Sequence, residues 1–343
     1  MTIPNFGPRQ QLFMRRHPDG LPRIDDFEVR EATTPEPDEG QILLAPHYVG
    51  VDAALRLIMR DSEEFLFRVR PGDLITSSSV AQVVASRNPA FAVGDFVVGS
   101  MGVETYALSD GQGLEKCDLS MAPPSAWLGP MGVSGLTAYF ALTEVCKVSP
   151  GQTVLVNAAA GAVGSIAGQI ARIKGARVVG VTGSDEKCRW LVEQLGFDAA
   201  INYRAGDLYE AICKAAPDRL NVIFDNVGGT IMDESLKWIA LHGIVLLCGA
   251  TSQYTQDKMT GPSNYIWLGT MRARLQGYVV FDYADRYAEA RQEIAGWLKD
   301  GALRPAENIV DGDVATFPAV FRGLFEGQNT GKMLLRLSHP DPV

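Results

Sequence analysis

The sequence predicts an α/β protein, a doubly wound parallel sheet joined to a β-rich, barrel-like domain, on three observations. The stretch TVLVNAAAGAVG at 153–164 runs a buried-strand pattern straight into a glycine-spaced turn and then a helix. Strand-like and helical runs alternate from there to about residue 300. On either side, the chain carries short β-like runs among many Pro and Gly residues. The expected division is a β-rich domain from 1–126 and 304–343 around a dinucleotide-binding domain at 127–303.

In chain order, the apolar runs 41–44, 80–85 and 95–98 are bounded by turn residues and suit strands of an antiparallel domain. The run 153–156 is apolar throughout, as a strand covered on both faces must be, and 165–173 (SIAGQIARI) is a small-residue helix able to pack closely on it. A second strand at 177–181 leads to a helix at 185–195, with Ser184 as its cap and Asp185 and Glu186 at the positive end of its dipole. Strand 199–202, helix 208–216, strand 222–225, helix 230–239 and strand 244–248 continue the alternation, and a strand near 275–280 with a helix at 285–300 completes it. The β-textured tail, with a strand at 332–337, is expected to rejoin the first domain.

Ala159, Gly161 and Gly164 occupy the three small positions of a G-x-G-x-x-G fingerprint, with Ala162 and Val163 inside the same turn. At Gly161 no Cβ stands between the backbone N–H groups and a phosphate, Gly164 lets helix and strand touch, and the helix dipole favours the anion. A fold selective for NAD places Asp or Glu at the end of the second strand to hold the ribose 2′-hydroxyl. This chain has Thr182, Gly183 and Ser184 there, with Lys187 one turn further on, which favours NADP(H). Ligands of open parallel sheets lie outside the carboxyl ends of the strands, so the remaining candidates follow in order. They are Tyr203 and Arg204 after the third strand, Asn226 with Gly228 and Gly229 after the fourth, and Cys248, Gly249 and Ala250 after the fifth.

Composition bounds the alternatives. The chain has 343 residues, 46% hydrophobic and 21% charged, with a net charge of −9 that disfavours nucleic acid and anionic membranes as partners. No apolar run approaches the roughly 20 residues that a membrane span needs, and no signal core opens the chain, so a cytoplasmic protein is expected. Cys117, Cys146, Cys188, Cys213 and Cys248 are scattered without a C-x-x-C pair, and His17, His47, His242 and His339 are equally dispersed. Neither a disulfide framework nor a zinc site is expected.

These residues together resemble a known family. NAAAGAVGS, TGSDEK, INYR, FDNVGG, LCGATSQY, LQGYVV and the segment at 328–332 are similar to the zinc-independent medium-chain dehydrogenase/reductases, in the branch of leukotriene/prostaglandin reductases and alkenal/one double-bond reductases. RQQLFMRRHPDG and GLTAYF extend the resemblance over nearly the whole chain. It implies a GroES-like barrel domain against a central Rossmann domain, NADP(H) as cofactor, Lys187 and Tyr203 at the 2′-phosphate, and Asn226 and Asn329 near the nicotinamide. It further implies a homodimer that reduces the activated C=C bond of a small enone or enal without metal, with a quinone reductase or a non-catalytic NADPH-binding protein as the alternatives. Substrate-side positions depart from the family pattern: Thr270 and Val103 stand where relatives carry aromatic residues, and Ser134 replaces a proline. The remaining candidate catalytic groups are Tyr265 and Arg56.

Overall fold

The computed structural model describes residues 6–62 and 67–338; His339 lies outside them. The chain divides into two compact units, one built from the chain up to Leu128 with 308–328 and the stretch from Met333, the other from Gly129–Glu307 with Asn329–Lys332.

In the first unit, β1 (Pro8–Met14) and β2 (Phe27–Thr33) form an antiparallel hairpin. β3 (Ile42–Gly50), β4 (Thr76–Ser86), β5 (Phe96–Gly102), β6 (Ala107–Ser109) and β7 (Glu115–Lys116) pair antiparallel as β3–β4, β4–β5, β5–β7 and β3–β6. The short helix α1 (Ala54–Ile58) follows β3. Each strand read from sequence is present but longer than its apolar run. β3 shifts register against β4 at Leu43/Leu44 and Pro46/Tyr48, and a bulge interrupts the two-residue period by which a strand is recognised.

The second unit opens with α2 (Val133–Phe140) and then alternates without exception. Its order is β8 (Thr153–Asn157), α3 (Ala162–Ile173), β9 (Arg177–Thr182), α4 (Asp185–Leu195), β10 (Ala199–Asn202), α5 (Leu208–Ala215), β11 (Leu220–Asp225), α6 (Gly229–Leu236), β12 (Ile239–Leu247), α7 (Ile266–Thr270), β13 (Arg274–Gly277) and α8 (Tyr287–Lys299). The sheet order is β10-β9-β8-β11-β12-β13 and every pair is parallel, a doubly wound sheet whose order reverses between β8 and β11. Apolar side chains of β8, β9, β11 and β12, among them Leu155, Val179, Ile223 and Val245, fill the core on one face with none of their surface exposed. Several boundaries differ from the sequence reading, α3 and β11 starting earlier at Ala162 and Leu220. The helix expected to reach residue 239 stops at Leu236 and β12 begins at Ile239, because a register shift against β11 lets the strand start early. β13 ends at Gly277, and the chain turns away at Val280.

The chain then returns to the first unit through β14 (Glu307–Gly312), α9 (Phe317–Phe325) and β15 (Lys332–Leu337), with β15 antiparallel to β3. α9, absent from the sequence reading, buries Phe317 and Phe321 in one cluster with Met14, Val49 and Val103. Val103 is thus a core residue of this unit, which accounts for an aliphatic side chain at that position.

Candidate functional site

The site is a property of the second unit, and it begins where β8 ends. Ala158 adopts φ +50°, and its carbonyl accepts the Gly161 N–H at 2.9 Å, closing the turn. A Cβ on Gly164 would stand 2.3 Å from that same carbonyl oxygen, so only glycine lets α3 start against the strand end. A Cβ on Gly161 would meet it at 3.2 Å and nothing else, leaving the outer side of the turn open. α3 has no side-chain cap, and its first intrahelical bond is donated by Ser165, so the N–H groups of Ala162, Val163 and Gly164 start the helix without intrahelical partners. Ala159 is buried and gives its N–H to Val181. Donors exposed at a helix N-terminus, backed by its dipole, are a cradle of the right chemistry for a diphosphate.

At the end of β9, the Ser184 hydroxyl accepts the Lys187 N–H at 3.2 Å and caps α4, as expected. Asp185 is turned to Asn202, whose amide it accepts at 2.8 Å, so this carboxylate is engaged at the strand edge. A Cβ on Gly183 would lie 3.3 Å from the Tyr203 ring and 3.5 Å from the Arg204 guanidinium, which brings Gly183, Tyr203 and Arg204 into one contact. Arg204 stacks 5.4 Å from the Tyr203 ring centroid, and its Nε donates to the Tyr203 hydroxyl at 3.3 Å. Burial, and then Arg204, lower the pKa of Lys187. Two cations converge here, and among the described residues Arg204 has no carboxylate within ion-pair distance, an arrangement that favours a doubly charged anion. Next to it lies a cavity of about 610 Å³ whose walls combine Tyr203, Leu208, Val227 and Ile231 with Asp207, Glu234 and Lys237.

The remaining strand ends are already hydrogen-bonded among themselves. Asn226 is 9% exposed and its Nδ2 donates one N–H to the Asn157 carbonyl at 2.8 Å, which leaves its second N–H and its carbonyl oxygen. The N–H groups of Cys248 and Gly249 both go to the Asp225 carbonyl, at 2.9 and 3.1 Å, and that of Ala250 to the Tyr254 hydroxyl at 3.2 Å. The Cys248 thiol is pushed up to about 12 by burial, and then by Asp225, so it stays protonated. Asn329 is docked against the glycine turn, because Gly331 donates its N–H to the Ala160 carbonyl at 2.8 Å, while the Asn329 amide donates to Gly331 O.

The sequence reading missed the element that organises these ends. Asp225, with no exposed surface, accepts the Asn157 amide at 2.8 Å and the N–H groups of Val227 and Gly228 at 3.0–3.2 Å. Those bonds shape the turn carrying Gly228 (φ +69°) and Gly229 (φ +55°). Burial raises the Asp225 pKa against these hydrogen bonds. A signal existed: the apolar strands TVLVN and NVIFD both end on a polar residue, and neighbouring parallel strands set such ends side by side.

Tyr265, 65% exposed, starts α7, and Thr270 at its other end returns its hydroxyl to the Ile266 carbonyl. Arg56 belongs to the first unit, 5% exposed, where Nε and Nη2 donate to the carbonyls of Gly20 and Pro18 at 2.9 and 2.8 Å and hold that loop on α1. Both positions entered through the family pattern, which carries no information about which way a side chain faces. Among the described residues, no group of three or more His, Cys, Asp or Glu is placed to hold a metal ion, and no helix is long and apolar enough to cross a membrane.

A doubly wound sheet with a glycine turn at its first strand end and a cationic cluster at its second defines a dinucleotide-binding protein. Residues 10–117 match the family described as the N-terminal domain of oxidoreductase, and residues 162–296 match the one described as zinc-binding dehydrogenase. The chain is 40% identical to the putative NADP-dependent oxidoreductase YfmJ of Bacillus subtilis, over 97% of this chain and 98% of that protein. It is 35% identical to the 2-alkenal reductase (NADP(+)-dependent) of Nicotiana tabacum, over 96% and 97%. The structure of CurA from Vibrio vulnificus in complex with NADPH superimposes with a TM-score of 0.91 at 34% identity, over 96% of this chain and all of that one. The chain belongs to the zinc-independent medium-chain dehydrogenase/reductases, in the branch of prostaglandin and alkenal reductases.

Proposed function

We propose that the protein is an NADPH-dependent reductase of the activated C=C bond of α,β-unsaturated ketones and aldehydes. The observation that carries the reading is the end of β9, where Gly183, Ser184, Lys187, Tyr203 and Arg204 converge and the Asp185 carboxylate is bound to the Asn202 amide. The likeness to a 2-alkenal reductase over nearly the full length of both chains supports the substrate class. NADPH, when bound, supplies the hydride that adds to the β-carbon of the enone.

The protein's own residues bind and orient. The first-turn N–H groups of Ala162, Val163 and Gly164 take the diphosphate, with Ala159 and Gly161 shaping their approach. Ser184, Lys187 and Tyr203 hold the 2′-phosphate, with Lys187 supplying charge that a 2′-hydroxyl leaves unused. Asn226 offers its second amide N–H and its carbonyl oxygen to the cofactor. Cys248, Gly249, Ala250 and Asn329 line the hydride end, and their own hydrogen bonds hold that wall rigid. An enone needs no Lewis acid, because its carbonyl oxygen takes the developing charge as an enolate and hydrogen-bond donors suffice to stabilise it. The same reading makes the protein a cytoplasmic homodimer. The outer edge of β13, exposed at all four residues and flanked by exposed Val279 and Phe281, supports self-association.

The test is oxidation of NADPH, followed by its absorbance, with a 2-alkenal, a cyclic enone and a quinone side by side. The reading expects turnover of the first two, the saturated carbonyl compound as product, and much weaker use of NADH. Formation of the allylic alcohol, or turnover of the quinone alone, overturns it.

A further inference from the structure

The cofactor reading uses the carboxyl rim of the parallel sheet, and the amino rim carries a feature of its own. Among the described residues, five other than glycine take a positive φ. One is Ala158 in the glycine turn. The other four are all basic: Lys147 (φ +50°), Arg219 (φ +68°), His242 (φ +61°) and Arg272 (φ +48°). Glycine enters this region without strain, so each of these sites keeps a basic side chain where the backbone alone favours none. A cation just after a helical turn suits the negative end of the dipole, which accounts in part for Lys147 and Arg272, but His242 lies within β12 and follows no helix.

The strand pairing brings these residues together. Val222, Ile244 and Arg274 stand abreast on β11, β12 and β13. Toward the amino ends from that row come Arg219 before β11, His242 in β12 and Arg272 before β13. β12 advances from Ile239 to Ile244 while β11 advances only from Leu220 to Val222, and the excess bulges with Leu241 and His242 exposed. The His242 N–H donates to the Met271 carbonyl at 2.9 Å, which fastens the bulge to the Arg272 turn. Arg219 lies 4.3 Å over the Trp238 ring, and Arg274 donates to the Val145 carbonyl at 3.4 Å, close in the chain to Lys147. The side chains of Lys147, His242 and Arg272 are exposed and have no hydrogen-bond or ion-pair partner among the described residues. Of the carboxylates closest to them in sequence, Asp218 adjoins Arg219 and Glu144 is paired with Arg286 at 2.9 Å. Cations thus gather at this rim in a chain whose net charge is −9.

Three neighbouring strands span about 10 Å, the reach of three or four extended residues. The geometry points to a docking surface for a short acidic peptide segment of a partner protein, its carboxylates on Lys147, Arg219, Arg272 and Arg274 and an apolar side chain on exposed Leu241. A long polyanion such as nucleic acid finds too few cations here, and the charge of the rest of the chain repels it. The surface stands at the opposite ends of the strands from the glycine turn, so the inference does not depend on the reaction proposed above.

A fluorescein-labelled hexaglutamate peptide, followed by anisotropy at low ionic strength with the full chain, tests this. The wild type should bind it, and added salt should weaken the binding. Lys147→Gly with Arg272→Gly should bind it roughly 2- to 30-fold more weakly, the loss of two exposed ion pairs, and should melt at the wild-type temperature or higher, because glycine suits both φ values. Lys147→Gln with Arg272→Gln, which keeps long side chains in place, should show the same loss of affinity. Arg70→Ala, which removes an exposed cation of the first unit, should bind the peptide unchanged, and NADPH affinity should hold in all three variants. A wild type that does not bind the peptide, double variants that bind it like the wild type, an equal loss in Arg70→Ala, or tighter binding of an oligothymidylate of the same charge each overturns the assignment.

Discussion

Alanine at Gly164 and alanine at Gly161 should separate the two jobs of the glycine turn. At Gly164 the added Cβ meets Ala158 O at 2.3 Å, Ala159 Cα at 2.9 Å and Ala158 C at 3.0 Å, all backbone atoms that cannot rotate away. Carbon contacts settle at about 3.5–4.0 Å, so α3 and the turn must part by on the order of 1 Å. Overpacking of this kind costs up to about 3 kcal/mol, and the better helix propensity of alanine returns about 1 kcal/mol. The net loss of about 2 kcal/mol lowers Tm by roughly 4–8 °C for a unit of this size. At Gly161 the only neighbour is Ala158 O at 3.2 Å and φ is −89°, so alanine fits without backbone strain. Stability should therefore hold to within about 0.5 kcal/mol, the usual range of a surface substitution. The methyl nevertheless stands on the side from which a phosphate approaches. Differential scanning fluorimetry without ligand, and NADPH titration by fluorescence, read the two effects. Gly164→Ala should lose stability and affinity together, and Gly161→Ala should lose about tenfold or more in affinity alone, about 1.4 kcal/mol. A Gly161→Ala protein that binds NADPH like the wild type, or a Gly164→Ala protein with unchanged Tm, refutes the reasoning.

Other expectations follow from the same geometry. Lys187→Ala removes one charged donor to the 2′-phosphate and should weaken NADPH binding by roughly 10- to 100-fold, the span of a charge-assisted hydrogen bond, while NADH binding stays level; a parallel loss for both cofactors contradicts the role. The pKa of Asp225 is raised above 3.8 by burial, so the folded protein holds that proton more tightly than the unfolded chain. The stability this contributes is full below pH 3.8 and is lost as pH rises through the folded pKa. Asp225→Asn keeps an acceptor for Val227 and Gly228, and Asn157 can turn its Oδ1, which has no partner, toward the new amide. The variant should match or exceed the wild-type Tm at pH 7 and show a flatter Tm profile above pH 4; a less stable variant at pH 7 would show that the hydrogen bonds outweigh burial. Arg56→Met should lower Tm by several degrees through the lost bonds to Pro18 and Gly20, worth about 1.5–3 kcal/mol for a charged donor, while kcat per folded molecule persists; a collapse of kcat with unchanged Tm would return Arg56 to the catalytic list.

The sequence by itself determined the second unit almost element by element. A continuous apolar run, small residues at fixed spacing and a serine cap act over about ten residues, within reach of backbone sterics and local hydrogen bonds, and 185–195 and 199–202 fall where they were read. Its zinc-independent, NADP-directed family was equally legible, because the motifs that carry it lie largely at strand ends. Only the tertiary structure decided which polar groups remain for a ligand. Asn226 gives its amide to Asn157, 69 residues away, Cys248 and Gly249 give theirs to Asp225, and Arg56 is drawn to a loop 36–38 residues earlier. The bulged start of β12 and the core role of Val103 were settled the same way. Buried donors and acceptors must find partners wherever the fold brings them together, and that pairing is a property of the assembled sheet and not of any window along the chain.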